Sequence, residues 1–248
     1  MVGLPLLNVP TLDNDDELNF IQYIESLAPL FWRRYNETSG TAGVNYGSLG
    51  GTTTWTPGSG GALNQEGHLG GGEAYNFDGT TSIDSFANNA AMANVETFTR
   101  CYLAKARGAG EGNIGVLSAW GTLSGDHSDR IAGSTRTLVA RVDYATNATS
   151  LTNETLDTDV WYWIFVTYDV TGDRKAYITL SQNGVATPAT YATQIASVGA
   201  YTAPSAAYAV GALTNNSATW DGLIDEVMFF DYVLSLETMQ EIIDLSNA

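Results

Sequence analysis

The stretch WDGLIDEVMFFDYVLSLETMQEII, residues 220–243, reads as a strand that runs into a turn and then a helix. Residues 222–230 form the strand. Ser235 stands as the N-cap of the helix, and Glu237 falls in its first turn, where the helix dipole favours an acid. Leu236, Met239 and Ile243 are spaced to make one apolar stripe. The spacing predicts a short C-terminal helix docked on a sheet.

Upstream, residues 31–232 are short runs rich in Val, Ile, Thr and aromatics, punctuated by Gly and Asn. That texture belongs to an all-β sandwich or barrel. The clearest strands besides 222–230 are residues 98–104, 137–143, 160–168, 175–181 and 206–211. VWYWIFVTY (160–168) is apolar or aromatic at nearly every position, so both its faces are expected to be covered, in the middle of a sheet. Asn183-Gly184 supplies the positive φ angles of a tight turn. The Gly-rich stretches 58–61 and 67–72 read as surface loops.

At the other end, Pro5, Pro10 and the run Asp13, Asn14, Asp15, Asp16 describe an extended arm ending in a helix N-cap. Leu18, Ile21, Ile24 and Leu27 recur every three positions before Pro29, which predicts a short helix held by packing. The expected organisation is an arm and helix over residues 1–28 and one β domain over 29–248. Leu4, Leu6, Leu7 and Val9 are apolar without partners of their own, so the arm is expected to bury them on a neighbouring subunit in a homo-oligomer or larger assembly.

Ten Lys and Arg against 27 Asp and Glu give the 248 residues a net charge of −17. Such a chain repels phosphate backbones and anionic bilayers, which speaks against nucleic-acid partners and membrane insertion. The single cysteine, Cys101, cannot close an intrachain disulfide and reads as a small core residue. No signal peptide is expected at the N-terminus, and no run approaches the 18 apolar residues of a membrane span.

Taken in order, five segments resemble the laminin-G-like or concanavalin A-like jelly roll. They are YIESLAPLFWRRYNETSGTAG (23–43), GEAYNFDGTTSI (72–83), TFTRCYLAKA (97–106), VWYWIFVTYD with KAYITLSQNGV (160–169 and 175–185), and residues 220–243. The resemblance implies an antiparallel two-sheet sandwich with a short helix at each end. It is similar to the form of this fold found in carbohydrate-binding modules and in phage virion proteins. This fold hosts lectins, glycosidases, adhesion modules and inert structural domains alike, so the ligand does not follow from it.

The resemblance also implies a structural calcium, with Asp225 as the leading ligand and Asp78 and Glu37 as partners, since calcium takes six to eight hard oxygens. The bland alternative is that Asp225 bonds loop backbone. Asp225 and Glu226, being consecutive on a strand, are expected to point to opposite faces. The Glu-x-Asp-x-x-Glu pattern of related hydrolases is missing, which argues against hydrolysis. Residues 110–115 satisfy GxGxxG but lead into strand-like VLSAWG, so they read as a loop. His68 and His127 read as solvated side chains.

A sugar site needs an exposed aromatic with amides and carboxylates nearby. Trp55, Trp120, Trp220, Tyr201 and Tyr208 lie in or near polar loops, and Trp120 with Asp126, His127 and Asp129 is the preferred carbohydrate site. The expected function is non-catalytic: a structural or adhesion protein of a phage virion, displaying the sandwich and anchored to capsid or tail subunits by its arm. The alternative is a free, extracellular lectin module binding a cell-surface glycan, with glycoside hydrolase third.

Overall fold

The computed structural model describes residues 14–68, 73–121, 127–182 and 184–247. The arm residues Leu4, Leu6, Leu7 and Val9, the loop residue Asp126 and the turn residue Asn183 lie outside them. Two large antiparallel sheets pack face to face. One runs in the order Val185–Pro188, Ala176–Gln182, Trp161–Asp169, Thr97–Ala106, Asp221–Phe230, Glu73–Asp78, Ala62–Glu66, with Phe31–Arg33 also paired to Asp221–Phe230. The other runs Tyr191–Ile195, Ala148–Thr155, Thr137–Val142, Ser128–Ala132, Ile114–Trp120, Tyr208–Val210, Ile83–Phe86, Thr52–Thr56, Ala42–Val44. Tyr144–Thr146 and Val198–Tyr201 form a small separate ribbon. This is the two-sheet sandwich that the sequence predicts.

The Trp161–Asp169 strand is internal, as its composition requires. Tyr162, Ile164, Val166 and Tyr168 enter the core between the sheets, while Trp163 and Phe165 enter a second core on the outer face. That outer core exists because two helices cover the first sheet. Helix α1 (Asn14–Leu27) contributes Phe20 and Ile24, and α3 (Leu236–Ser246) contributes Met239, Ile242 and Ile243. Burying such side chains is worth about 1.5–3 kcal/mol each, far more than a short helix's own propensity. Between them in the chain lies a single turn, α2 (Ala90–Ala93), capped by Asn89.

Both helices roll slightly from the expected faces. Leu18 is 49% exposed and Leu236 is 48% exposed, while Phe20 and Ile242 take the buried positions. In α1 a period of three underestimates the true 3.6-residue turn, so a stripe counted in threes drifts off the contact line; in α3 Met239 and Ile243 are buried as expected and only Leu236, in the first turn, is not. Ser235 caps α3 as expected, accepting the Thr238 amide at 3.1 Å. Gly184 adopts φ +81°, as its turn demands.

A β-bulge changes the reading of the acidic pair. Against the Thr97–Ala106 strand, Ile224 lies opposite Ala104 and Val227 opposite Tyr102, so three steps on one strand span two on the other. Ile224 and Val227 both point into the inter-sheet core. The extra residue suspends the alternation, and Asp225 and Glu226 both find partners on the helix-bearing side. Asp225 accepts the His68 amide at 3.1 Å, and Glu226 accepts the Trp32 indole N–H. The expectation of opposite faces is therefore wrong.

Candidate functional site

On the helix-bearing side, a cleft of about 520 Å³ opens between the end of the Trp161–Asp169 strand and the last turn of α3. Its size falls within the range of about 300–1,000 Å³ common for small-ligand sites. Trp161 and Trp163 supply aromatic walls, and His68, Ser181, Asp244 and Asn247 supply polar edges. Trp161 is the first residue of its strand and is half-buried at the edge of the outer core, whereas Trp163 is sealed within it. Trp163 is fixed further by its indole N–H, which donates to Ser246 Oγ at 2.8 Å.

The polar edge is also held in place. His68 is anchored through its backbone by Asp225, and its ring lies 6.0 Å from that of Trp161. Its Nε2 lies 3.0 Å from Asn247 Oδ1. Asn247 Nδ2 donates to the Ile243 carbonyl at 2.7 Å, which fixes the amide orientation and puts the imidazole proton on Nε2. Burial pushes the His68 pKa below its usual value, against the Asn247 bond, which raises it, and Lys105 lowers it further. Lys105 Nζ lies 5.0 Å over the Trp161 ring, from the position directly opposite on the neighbouring strand. A half-exposed indole beside converging hydroxyl, amide, imidazole and carboxylate groups can stack against the C–H face of a sugar and bond its hydroxyls.

A smaller cleft, about 330 Å³, lies at the edge of the sandwich and is lined by Glu154, Tyr162, Leu180 and Pro188 among others. Its polar groups are already engaged: Thr190 donates twice to Glu154, and Tyr162 Oη accepts the Asp157 amide at 3.1 Å.

The described residues of the expected sugar site are buried. Trp120 is 3% exposed, packed on Tyr208 and Phe229 in the core. His127 is buried, its Nε2 bonded to the Thr202 carbonyl at 3.2 Å, and burial lowers its pKa to about 3. Asp129 is buried between the sheets, accepting Arg100 Nη2 at 2.9 Å and the Tyr102 hydroxyl at 2.6 Å. Trp120 ends one strand and Asp129 lies in the strand paired with it, and with His127 they are buried, so their polar groups serve the core. Trp55, Trp220 and Tyr208 are likewise buried. His127 is therefore not the solvated side chain expected, while His68 is half-buried at the edge of the cleft.

The three carboxylates assigned to calcium do not converge. Asp78 closes its own turn, accepting the amides of Thr80, Thr81 and Ser82 at 2.9–3.1 Å and that of Gly60 at 3.2 Å. Those backbone donors hold its pKa well below the usual carboxylate range. Glu37 clamps the Arg33 guanidinium and takes the Tyr75 hydroxyl at 3.0 Å. Asp225 accepts the His68 amide, which is loop backbone. Carboxylates committed to separate donors do not fit one calcium shell. Among the described residues, no group of three or more His, Cys, Asp or Glu side chains is arranged to hold a metal ion.

Sequence reasoning missed Trp161, His68 and Asn247 as partners. They lie far apart in the chain, and the one available signal is that Trp161 is the outermost aromatic of an otherwise sealed strand.

Comparison with known structures places the fold. The chain superposes on domain 4 of AbnA, an extracellular arabinanase from Geobacillus stearothermophilus solved with arabinotriose, with a TM-score of 0.59 at 14% identity, covering 88% of this chain and 98% of that one. The botulinum neurotoxin type G receptor-binding domain matches at 0.57 and 11% identity, over 88% of this chain and 51% of that one. A Trypanosoma rangeli sialidase in complex with sialic acid matches at 0.59 and 10%, over 92% of this chain and 38% of that one. Identities this low speak for shared architecture alone. Among curated proteins, none matches the sequence. A family profile matches residues 78–240, well over half of the chain. This protein belongs to the concanavalin A-like lectin/glucanases superfamily.

Proposed function

We propose that the protein is a non-catalytic carbohydrate-binding domain of lectin type, and that it holds its glycan in the cleft at Trp161. The observation that carries this reading is the half-exposed Trp161 indole bordered by His68, Ser181, Asp244 and Asn247. The AbnA domain and the sialidase, each solved with a sugar, give the reading a context in the same fold. The non-catalytic part rests on the lining: among the described residues Asp244 is the one carboxylate there, whereas glycoside hydrolysis uses two, about 5–9.5 Å apart.

The test is titration of a glycan panel against the wild type and Trp161→Ala, with circular dichroism to confirm folding. Binding that drops at least tenfold in the variant supports the site. Binding unchanged by the variant, or sugar release from the panel, overturns it.

The setting we propose for this domain is display on a virion surface, anchored by Leu4, Leu6, Leu7 and Val9. Support comes from the apolar arm and from the sequence resemblance. Light scattering of the full chain beside one starting at Asn14 tests it: a multimer that becomes a monomer on truncation is expected, and two monomers would sink the idea.

A further inference from the structure

We propose that the Trp161 cleft selects uncharged glycans by reading their hydroxyl donors, and that it releases them when His68 takes up a proton. This rests on the site proposed above and adds the class of sugar and the condition of release.

The hydrogen-bonding capacity of the cleft decides the class. Because Asn247 fixes the proton on His68 Nε2, the neutral ring keeps a lone pair on Nδ1, which has no partner among the described residues. Asp244 is exposed and accepts only. Its Oδ1 already takes the Gln240 amide at 2.7 Å, which leaves the second oxygen for a ligand. Ser181 can accept or donate. The edge is therefore rich in acceptors, and its natural complement is a ligand rich in O–H donors. A carboxylate or sulfate on the sugar brings acceptors only.

Charge points the same way. Asp244 borders the cleft, Asp225 lies beneath the His68 amide, and the chain carries a net −17. Lys105 is the cation at the rim, and its ammonium is engaged over the Trp161 ring. An acidic sugar would have to draw Lys105 off that ring against two carboxylates.

Protonation of His68 converts Nδ1 from acceptor to donor and removes one of these contacts. The charged groups around His68 are Lys105, which acts on the ring, Asp225, which accepts its backbone amide, and Asp244 across the shared cleft; Lys105 together with burial favours the neutral ring. Loss of binding is therefore expected on the acid side of neutrality.

The experiment compares matched oligosaccharides on the full chain at pH 8, such as a galactose tetramer and a galacturonate tetramer, by calorimetric titration. The neutral member is expected to bind at least tenfold tighter. Repeating the neutral titration at pH 4.5, with folding checked by circular dichroism, should weaken it at least fivefold, and His68→Gln should remove most of that pH dependence. Tighter binding of the uronate, or a flat pH profile in the wild type, overturns the proposal while leaving the site intact. Neutral selectivity that survives Trp161→Ala overturns the site itself, and binding of neither sugar class overturns both readings.

Discussion

Arg100 and Asp129 meet in the middle of the sandwich, the guanidinium rising from the helix-bearing sheet and the carboxylate from the sheet opposite, with Nη2 2.9 Å from Oδ1. Both are fully buried, and Arg100 also lies 4.5 Å over the Phe98 ring. Removing one member of such a pair strands the other charge in the core, at a cost of about 3–5 kcal/mol. Asp129→Ala should therefore lower the unfolding free energy by that much in urea titrations and leave the glycan affinity of the folded fraction unchanged. Affinity lost without stability lost would return Asp129 to a binding role.

Glu226 and His127 pull the pH dependence of stability in opposite directions. Burial raises Glu226 from 4.5 to about 7, while Arg34 and the Trp32 N–H act against that rise. Its folded pKa lies above its unfolded one, so stability is full at low pH and falls by roughly 3 kcal/mol as pH rises from 4.5 to 7. His127, lowered from 6.5 to about 3 by burial and by Arg100, works the other way, and stability falls as pH drops below 6.5. Denaturation curves from pH 4 to 8 should show Glu226→Gln removing the alkaline loss and His127→Gln easing the acid loss. Curves parallel to the wild type in both variants would contradict these assignments.

Gly211 sits at φ +79°, and a Cβ there would lie 2.0 Å from the Phe77 ring. Left-handed strain and overpacking together cost roughly 2–5 kcal/mol. Gly211→Ala should lower the melting temperature sharply in calorimetry; a shift of about a degree would mean that Phe77 moves aside freely.

Because Asp78, Glu37 and Asp225 are each satisfied by protein donors, a chelator should leave the melting temperature unchanged. A drop of several degrees with EDTA, restored by added calcium, would overturn that expectation.

The strands at 160–168 and 222–230 were legible because composition alone fixes what a doubly covered strand must look like. So was the helix after Ser235, whose cap and acidic first turn are local devices. Trp120, His127 and Asp129 misled because a polar residue inside a sandwich looks, in one dimension, like a polar residue in a loop. What separates them is the tertiary fold: Arg100 and Tyr102 reach Asp129 from 29 and 27 residues away, and the Thr202 carbonyl reaches His127 from 75.

The sequence by itself determined the all-β sandwich and its terminal helices, because periodicity and capping act within a few residues. Tertiary structure alone decided where a cleft opens and what lines it. The bulge at Asp225 and Glu226 turns both acids to one face, and residues 68, 161 and 247 become neighbours only when a loop, a strand end and the last turn of α3 pack together. Long-range packing of that kind leaves no spacing in the chain to be read.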